Sequence, residues 1–432
     1  TGWPKGVIAS RGGIANHIQA LRSLYPLGPD DAVLQLTPIG FDASLWELLG
    51  PLSAGARLVS LPPEAHGAPN RIVEWMARER VTAIQVVPSL LRPLLDEPGL
   101  DRCRRLRRVY CGGEPLSPEL ARRFRNRSDA ELVNLYGPTE ATVDVTSWRC
   151  AEEPDGRDIP IGHPVPGVCA YALDANMELV PDGVPAELYA GGAGVARGYL
   201  NAPGETAERF APNPFGAAGS RLYRTGDRVR RRAGGEFEFG GRFDAQVKLR
   251  GQRIELGEIE VTLKGRPDVA DAVVALSAPP AGEPRLVALV VPRGPVTIEE
   301  LRHYLGARLP SAHVPAVIRL VDALPLSATG KVDRRAVASV AEQLHDTPPE
   351  PPRPGEETLI AEVWSAILKV EQIGRADNFF ELGGHSLLAM QVVARLREVL
   401  GLELPLQQLF MTPTVSGLAA WVAEIRSQAG AQ

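Results

Sequence analysis

The spacing of hydrophobic positions divides the chain into stretches with different predicted structures. In residues 1–145, short apolar runs alternate with amphipathic stretches. The runs at 31–39 and 81–88 predict buried strands, and the spacing in 70–80 and 117–127 predicts helices. Strands that alternate with helices in this way are typical of an α/β layer architecture.

The pattern then becomes shorter and richer in glycine. Residues 146–242 contain runs with strand-like alternation, at 186–192 and 236–242, which predict a small barrel or sandwich. From about 245 to 340, two apolar runs follow a helical stretch, so we expect a small α+β unit. Residues 347–357 are dense in proline and charge, which is typical of a linker.

After this linker the whole chain has helical spacing. Apolar positions repeat with the helical period in three long segments and a short one, at 356–370, 386–400, 414–428 and 406–411. Gly401 follows the second of them as a helix C-cap. These segments predict a four-helix bundle of about 75 residues.

Composition and charge exclude several classes of partner. The chain has 432 residues, enough for about two to four domains, and a formal net charge of -5. This charge favours neither a nucleic acid nor an anionic membrane surface, and no apolar run reaches the roughly 18 residues of a membrane span. The cysteines lack metal-ligand spacing, which predicts buried, reduced thiols in a cytoplasmic protein; they are Cys103, Cys111, Cys150 and Cys169.

The string DNFFELGGHSLLAMQVV at 377–393 carries the strongest local signal. Two glycines precede His385 and Ser386, and a helical pattern begins at once. Free N–H groups and the helix dipole favour a phosphate at such a position, although position alone favours a simple N-cap. The longer string resembles the attachment motif of peptidyl-carrier domains, over 356–428. That resemblance implies 4'-phosphopantetheine on Ser386 and a phosphopantetheinyl transferase that contacts His385.

Five further strings resemble the adenylate-forming superfamily and occur in its order. They are TGWPKG (1–6), NLYGPTEAT (134–142), YRTGDR (223–228), GGRFDAQVKLRGQRIELGEIE (240–260) and LPLSATGKVDRR (324–335). Together with the carrier motif, the resemblance identifies the chain as part of a nonribosomal peptide synthetase, and it implies ATP and Mg²⁺ as cofactors. It divides the chain into an adenylation core at 1–243 with its N-terminal part missing, a C-terminal subdomain at 244–340, a linker at 341–355 and a carrier domain at 356–428.

The resemblance also implies the nucleotide site. Formation of an acyl adenylate needs the carboxylate and the α-phosphate held in line and Mg²⁺ to neutralise charge. Tyr136, with Asn134 nearby, would stack on adenine, while Thr139 contacts phosphate and Glu140 holds Mg²⁺. Asp227 would accept hydrogen bonds from both ribose hydroxyls.

Four other charged residues complete the predicted machinery. By resemblance, Arg242 meets the ribose and phosphate, and Lys5 belongs to a phosphate loop whose upstream half lies before the chain. Lys331 would bridge the substrate carboxylate and the transferring phosphate, as a mobile point charge can. Asp244 is the predicted hinge, about which the small subdomain rotates so that the carrier thiol reaches the same carbon.

The string FDASLWELL at 41–49 resembles the motif that opens amino-acid pockets in peptide synthetases. A buried carboxylate at Asp42 suits an α-ammonium, because an unpaired buried charge is costly. By resemblance, Lys331 holds the substrate carboxylate and the remaining pocket positions face the side chain: Ala43, Trp46, Gln85, Tyr110, Gly112, Leu135, Val143 and Asp144.

This pocket is polar, because it contains Gln85, Tyr110 and Asp144. The set resembles pockets assigned to glutamine, whose amide offers both a donor and an acceptor. Glutamate is the second candidate substrate, because its carboxylate would face the Asp144 carboxylate unless the two share a proton. An amino acid with a cationic side chain is the third candidate.

We therefore predict an enzyme that adenylates an amino acid and transfers it as a thioester to Ser386, for secondary-metabolite biosynthesis. Expected partners are neighbouring condensation or other synthetase domains and a small activator protein. Two alternatives stay open: a stand-alone acyl-CoA ligase, and a non-catalytic carrier or scaffold fragment. The second alternative is open because the chain starts inside the phosphate-loop string, so it could be inactive alone.

Overall fold

In the computed structural model the chain forms two compact units, Pro4–Gln252 and Arg253–Gln432, here called the large and the small unit. The structure describes most of both, at 5–62, 65–150, 158–244, 246–249, 251–278, 284–326, 332–339, 350–368, 370, 372–384, 386–402 and 404–429.

A seven-stranded sheet organises the first part of the large unit. Its strands are β1 (Ala32–Gln35), β2 (Arg57–Ser60), β3 (Ala83–Val86), β4 (Arg108–Gly112), β5 (Glu131–Tyr136), β6 (Thr146–Arg149) and β7 (His163–Pro164). They lie in the order β2-β1-β3-β4-β5-β6-β7. The first five are parallel and the last two antiparallel. The predicted α/β layer architecture is confirmed.

Helices connect the parallel strands, as parallel pairing requires. The connecting helices are α2 (Ser44–Ala54), α3 (Pro69–Arg78), α4 (Pro88–Asp96) and α5 (Pro118–Arg127), and α1 (Arg11–Leu24) precedes β1. Ser10 and Ser117 cap α1 and α5, each accepting from a backbone N–H of the first turn. The helix α1 was not predicted from the sequence, although it carries part of the candidate site.

Each face of this sheet has its own core. On β4, Val109 and Cys111 pack with residues of α3, α4 and α5, whereas Tyr110 between them packs with residues of α1 and α2. Side chains alternate across a strand, so one residue in two reaches the α1–α2 face. The predicted strand 81–88 is β3, Ala83–Val86, buried throughout.

A second, antiparallel sheet follows. It contains β8 (Val168–Leu173), β9 (Ala186–Gly192), β10 (Phe210–Pro212), β11 (Arg221–Arg231) and β12 (Phe237–Arg242), with α6 (Pro203–Arg209) between β9 and β10; β13 (Gln246–Leu249) comes next. The long strand β11 pairs with β9, β10 and β12. The predicted strands at 186–192 and 236–242 are thus β9 and β12.

The small unit begins with an α+β part. Its elements are β14 (Gln252–Glu255), α7 (Leu256–Lys264), β15 (Val269–Ser277), β16 (Arg285–Pro292), α8 (Ile298–Gly306), β17 (Val317–Leu320) and α9 (Arg334–Ser339). β16 pairs antiparallel with β15 and parallel with β17. The two apolar runs that follow the helical stretch are the strands β15 and β16, so the expected α+β unit is confirmed.

Four helices form the C-terminal part: α10 (Glu356–Leu368), α11 (Ser386–Leu400), α12 (Leu406–Met411) and α13 (Val415–Ala429). Trp364 and Phe379 are fully buried in their common core. Gly401 adopts a φ of +66° and its N–H donates to the Arg397 carbonyl at 2.9 Å, as predicted for a C-cap. The helical carrier region predicted from the sequence is confirmed.

Within the small unit, the carrier helices contact the three-stranded sheet through the loop before α11. The Arg319 guanidinium lies 3.3 and 3.4 Å from the two Glu381 carboxylate oxygens, and Arg285 donates to the Glu381 carbonyl. The Arg302 guanidinium lies 5.8 Å from the Phe380 ring centroid. Cations of the sheet and α8 therefore meet an acidic and aromatic loop.

Candidate active site

Two polar side chains lie on the α1–α2 side of the large sheet. Ile84 and Val86 pack on the opposite face, so strand alternation turns Gln85 toward α2. Gln85 is aligned with Tyr110 on β4, and its Nε2 donates to the carbonyl of Ala43 at 3.3 Å. Both predicted pocket residues are buried.

Aromatic packing closes one side of this region. Trp46 on α2 and Tyr110 are 2% and 0% exposed, with ring centroids 4.4 Å apart and an interplanar angle of 63°. Gly112 and Leu135 are paired neighbours on β4 and β5. The structure therefore brings these predicted pocket positions to adjoining strands and the start of α2.

Asp42 and Asp144 supply the acidic groups. Burial raises the pKa of Asp42, while a hydrogen bond from Thr139 and one from backbone opposes the shift. Burial raises the pKa of Asp144 to about 8, and the Asp42 carboxylate adds to the effect. Asp144 is therefore mostly protonated at neutral pH, beside a second carboxyl whose pKa is also raised.

Asp144 follows a strained turn. Thr142 and Val143 have φ of +58° and +70°, a region that a β-branched residue rarely adopts. Gly137 permits the close approach, because a Cβ there would lie 2.0 Å from the Val143 carbonyl oxygen. The Thr142 hydroxyl donates to the Gly194 carbonyl at 2.6 Å, which holds the turn in place.

His17, which the sequence analysis missed, lies beside Asp144. It projects from α1, is 2% exposed, and its Nδ1 lies 3.7 Å from Asp144 Oδ2. Burial lowers the pKa of His17 to about 4, so the imidazole is neutral. A histidine within the apolar stripe of IANHIQAL is the sequence signal that could have found it.

Glu140 lies in a second buried group, with Tyr199 as a partner that the sequence analysis also missed. Glu140 is 4% exposed, and the Tyr199 hydroxyl donates to its Oε1 at 2.6 Å. Lys5 lies 5.5 Å from the Tyr199 ring centroid and 3.0 Å from Glu205. Mg²⁺ is commonly held by one or two carboxylates together with substrate phosphates, and the Glu140 carboxylate is of the type that fits that requirement.

Tyr136 and Arg242 converge on Asp227, which is 2% exposed. The Tyr136 hydroxyl donates to Oδ2, and the Arg242 guanidinium pairs with Oδ1. Arg242 also holds Asp244, with Nε–Oδ1 and Nη2–Oδ2 distances of 2.7 and 2.9 Å. Lys248 Nζ lies 4.9 Å from the centroid of the Tyr136 ring. A carboxylate has about four lone-pair sites, so Asp227 can still accept from ribose hydroxyls.

The other predicted residues do not join the groups around Asp144, Glu140 and Asp227 in the described part of the structure. Asn134 donates through Nδ2 to the Pro160 carbonyl at 2.7 Å, which ties β5 to the loop before β7. Lys331 and His385 lie outside the described residues. Ser386 is the first residue of α11, as predicted. Gly384 precedes it where a Cβ would lie 2.4 Å from the Phe379 carbonyl oxygen, so a larger residue would not fit.

Three of the four cysteines are buried, as predicted, but Cys169 is exposed because it lies on the outer face of β8. In the part of the chain that the structure covers, no helix has the length and apolar character needed to cross a membrane. Across the same residues, no three His, Cys, Asp or Glu side chains cluster as a metal site.

Comparison with known families matches three segments of the chain. Residues 1–200 match the AMP-binding enzyme family, residues 258–331 the AMP-binding enzyme C-terminal domain, and residues 358–422 the phosphopantetheine attachment site. The class of protein is therefore an adenylate-forming enzyme with a carrier domain. AMP-binding enzymes use ATP and Mg²⁺, and phosphopantetheine attachment sites carry 4'-phosphopantetheine.

Individual relatives narrow the class. The chain is 44% identical to tyrocidine synthase 3 of Brevibacillus parabrevis over 99% of its own length and 7% of that protein. It is also 44% identical to the phosphinothricin tripeptide synthetase PhsB of Streptomyces viridochromogenes, over 99% of this chain and 36% of that protein. Among solved structures, holo-PA1221, an NRPS protein containing adenylation and PCP domains, has a TM-score of 0.78 and 29% identity, covering 98% of this chain and 71% of that one. The chain belongs to the adenylation–carrier family of nonribosomal peptide synthetases, and it spans about a third or less of these two curated relatives.

Proposed function

We propose that this chain activates glutamine with ATP as the aminoacyl adenylate and transfers it to the carrier domain at Ser386. The observation that supports this proposal is the burial of two polar residues at predicted pocket positions, Gln85 and Asp144, together with the buried aromatic positions Trp46 and Tyr110. A leucine or methionine side chain would leave these polar groups without hydrogen bonds, at a cost of about 1–3 kcal/mol each.

The protonation of Asp144 favours an amide over a carboxylate or a cation. Because the pKa of Asp144 is raised to about 8, the group is an O–H donor at neutral pH. It would donate to the amide oxygen of glutamine, and Gln85 Oε1 would accept from the amide nitrogen. Glutamate is the second candidate and would bind in its protonated form; a cationic side chain is third.

The remaining residues would position the reacting groups. Asp42 would pair with the α-ammonium, and Lys331 would bridge the substrate carboxylate and the α-phosphate. Tyr136 and Asp227 would hold the adenosine, with Arg242 and Lys5 toward the phosphates. Bound Mg²⁺ would offset phosphate charge during transfer, and Glu140 is the residue that would hold it.

The transfer step would use the phosphopantetheine attachment domain, which the family comparison matches at residues 358–422. The phosphopantetheine arm supplies the thiol that takes the aminoacyl group as a thioester. The start of α11 at Ser386 would place the positive end of the helix dipole near its phosphate. We further propose rotation about Asp244, the domain boundaries at 243, 340 and 355, a cytoplasmic location, and a phosphopantetheinyl transferase as a partner.

An exchange assay tests the adenylation step. Amino-acid-dependent ATP–pyrophosphate exchange is measured for the full-length protein with each of the twenty amino acids. Glutamine should give the highest kcat/KM, and exchange that is highest with an aliphatic amino acid would contradict the assignment. The carrier site is tested separately, by the mass increase after phosphopantetheinyl transfer, which Ser386→Ala should abolish.

A further inference from the structure

His17 and Asp144 form a buried polar pair at one end of the predicted amino-acid pocket. Their nearest atoms, Nδ1 and Oδ2, lie 3.7 Å apart, which is beyond hydrogen-bond distance. Within the described residues, both ring nitrogens of His17 and Oδ2 of Asp144 are buried without a hydrogen-bond partner. Gln85 Oε1 is in the same state. Buried polar atoms are nearly always satisfied, so the unpartnered atoms of the adjacent His17 and Asp144 side chains indicate a polar occupant.

Packing holds His17 in this position. The neighbours of His17 on α1, Ile18 and Leu21, belong to the same core as Trp46 and Tyr110. Gly13, one turn earlier, lies so close to the strained turn that a Cβ there would be 2.9 Å from Thr142 Oγ1. The helix α1 is thereby packed against the turn that carries Asp144.

We infer that His17 is a specificity-determining residue, which together with Asp144 binds the polar end of the substrate side chain. The inference rests on the proposed adenylation function and adds a residue from α1, a helix that supplies none of the other predicted pocket positions. Burial lowers the pKa of His17 to about 4, which keeps the ring neutral, with one N–H donor and one acceptor nitrogen. A neutral carboxamide, itself a donor and an acceptor, matches that pair.

The test compares a polar substrate with an apolar one of similar length, glutamine and norleucine, in ATP–pyrophosphate exchange by the full-length protein. In His17→Leu the KM for glutamine should rise about 10- to 100-fold, because one hydrogen bond in a dry site is lost. The KM for norleucine should fall, since an apolar group replaces a polar one. His17→Asn retains an N–H near the Nδ1 position and should recover most of the glutamine selectivity.

His163 supplies the matched control. It lies on β7 and is exposed, so His163→Leu should leave the ratio of the two KM values within about twofold. Equal rises in both KM values for His17→Leu, with a lower Tm, would mean that His17 only supports the fold and would overturn the inference. If His17→Leu does not fold, the ¹⁵N ring signal that disappears in His17→Asn should shift when glutamine is added. A signal that does not move overturns the inference.

The screen of all twenty amino acids separates this inference from the substrate assignment. If another polar amino acid is preferred, the assignment to glutamine fails, and the His17 variants are compared on that amino acid and its apolar isostere. If an apolar amino acid is preferred, both fail. If glutamine is preferred and His17→Leu keeps its selectivity, only the role of His17 is wrong.

Discussion

Tyr199→Phe removes one oxygen atom from the buried group around Glu140. The Tyr199 hydroxyl donates to Glu140 Oε1 at 2.6 Å, and the ring packs edge-on against Phe210 with centroids 5.6 Å apart. The phenylalanine ring keeps that packing, so the substitution removes the hydrogen bond to Glu140 and a weaker 3.5 Å contact with the Tyr223 hydroxyl. A hydrogen bond to a charged group contributes about 1.5–3 kcal/mol.

If Glu140 holds Mg²⁺ as we propose, loss of this hydrogen bond should lower the catalytic efficiency. At 1.4 kcal/mol per factor of ten, kcat/KM for ATP should drop about 10- to 150-fold. A weaker hold on the carboxylate should also move half-saturation by Mg²⁺ upward by about 10-fold or more, as outer-shell substitutions do. Both quantities are measured by ATP–pyrophosphate exchange over a Mg²⁺ titration.

Tyr189→Phe is the control, because Tyr189 is equally buried but packs in a different cluster, with Leu173 and Leu222. Its Mg²⁺ dependence should match that of the unchanged protein. The reasoning is refuted if Tyr199→Phe keeps the Mg²⁺ dependence, or if Tyr189→Phe shifts it equally.

Three further predictions concern the pocket and the carrier contact. Gln85→Leu removes the Oε1 that would accept from the substrate amide, together with the Nε2 that donates to Ala43. The KM for glutamine should therefore rise about 10-fold in exchange assays while that for leucine falls. Asp144 has a pKa near 3.8 when unfolded and about 8 when folded, so between these values the folded state holds the extra proton and stability falls as the pH rises, levelling off above about 8. Urea unfolding from pH 5 to 9 should show a flatter pH dependence for Asp144→Asn than for the unchanged protein; equal slopes would contradict the shift. Arg319 and Glu381 are partly exposed, so Glu381→Arg should slow aminoacyl loading of the carrier only a few-fold, and adding Arg319→Glu should restore the rate, as a double-mutant cycle would detect.

Local pattern in the sequence was sufficient for the helical and strand elements with strong periodicity. The helix at 386–400 has the predicted bounds, because its apolar stripe begins shortly after Gly383 and Gly384 and ends before Gly401. The strand predicted at 31–39 is shorter, Ala32–Gln35, since Glu47 accepts from the backbone N–H of Leu36 and Thr37 and so binds the main chain outside the sheet. That contact joins residues from separate elements, and no local pattern contains it.

Long motifs were likewise sufficient to identify the family, because a string of many specified residues in a fixed order rarely occurs by chance. The strings around Tyr136, Asp227 and Ser386 were sufficient for this, and the family matches confirm it. Strand alternation also allows Gln85 and Tyr110 to be assigned to one face once their strands are known.

Only the tertiary structure decided which residues from distant segments meet. Five of the seven strands of the large sheet lie between His17 and Asp144 in the sequence. Tyr199, which contacts Glu140, comes from the part of the chain that forms the second sheet. Their proximity depends on how α1 packs on the strained turn and how the two sheets are joined, and the protonation of Asp144 depends on the burial that results. Sequence periodicity shows which residues share a face of one helix or strand. Burial and long-range contacts depend on how the whole chain folds, so periodicity does not contain them.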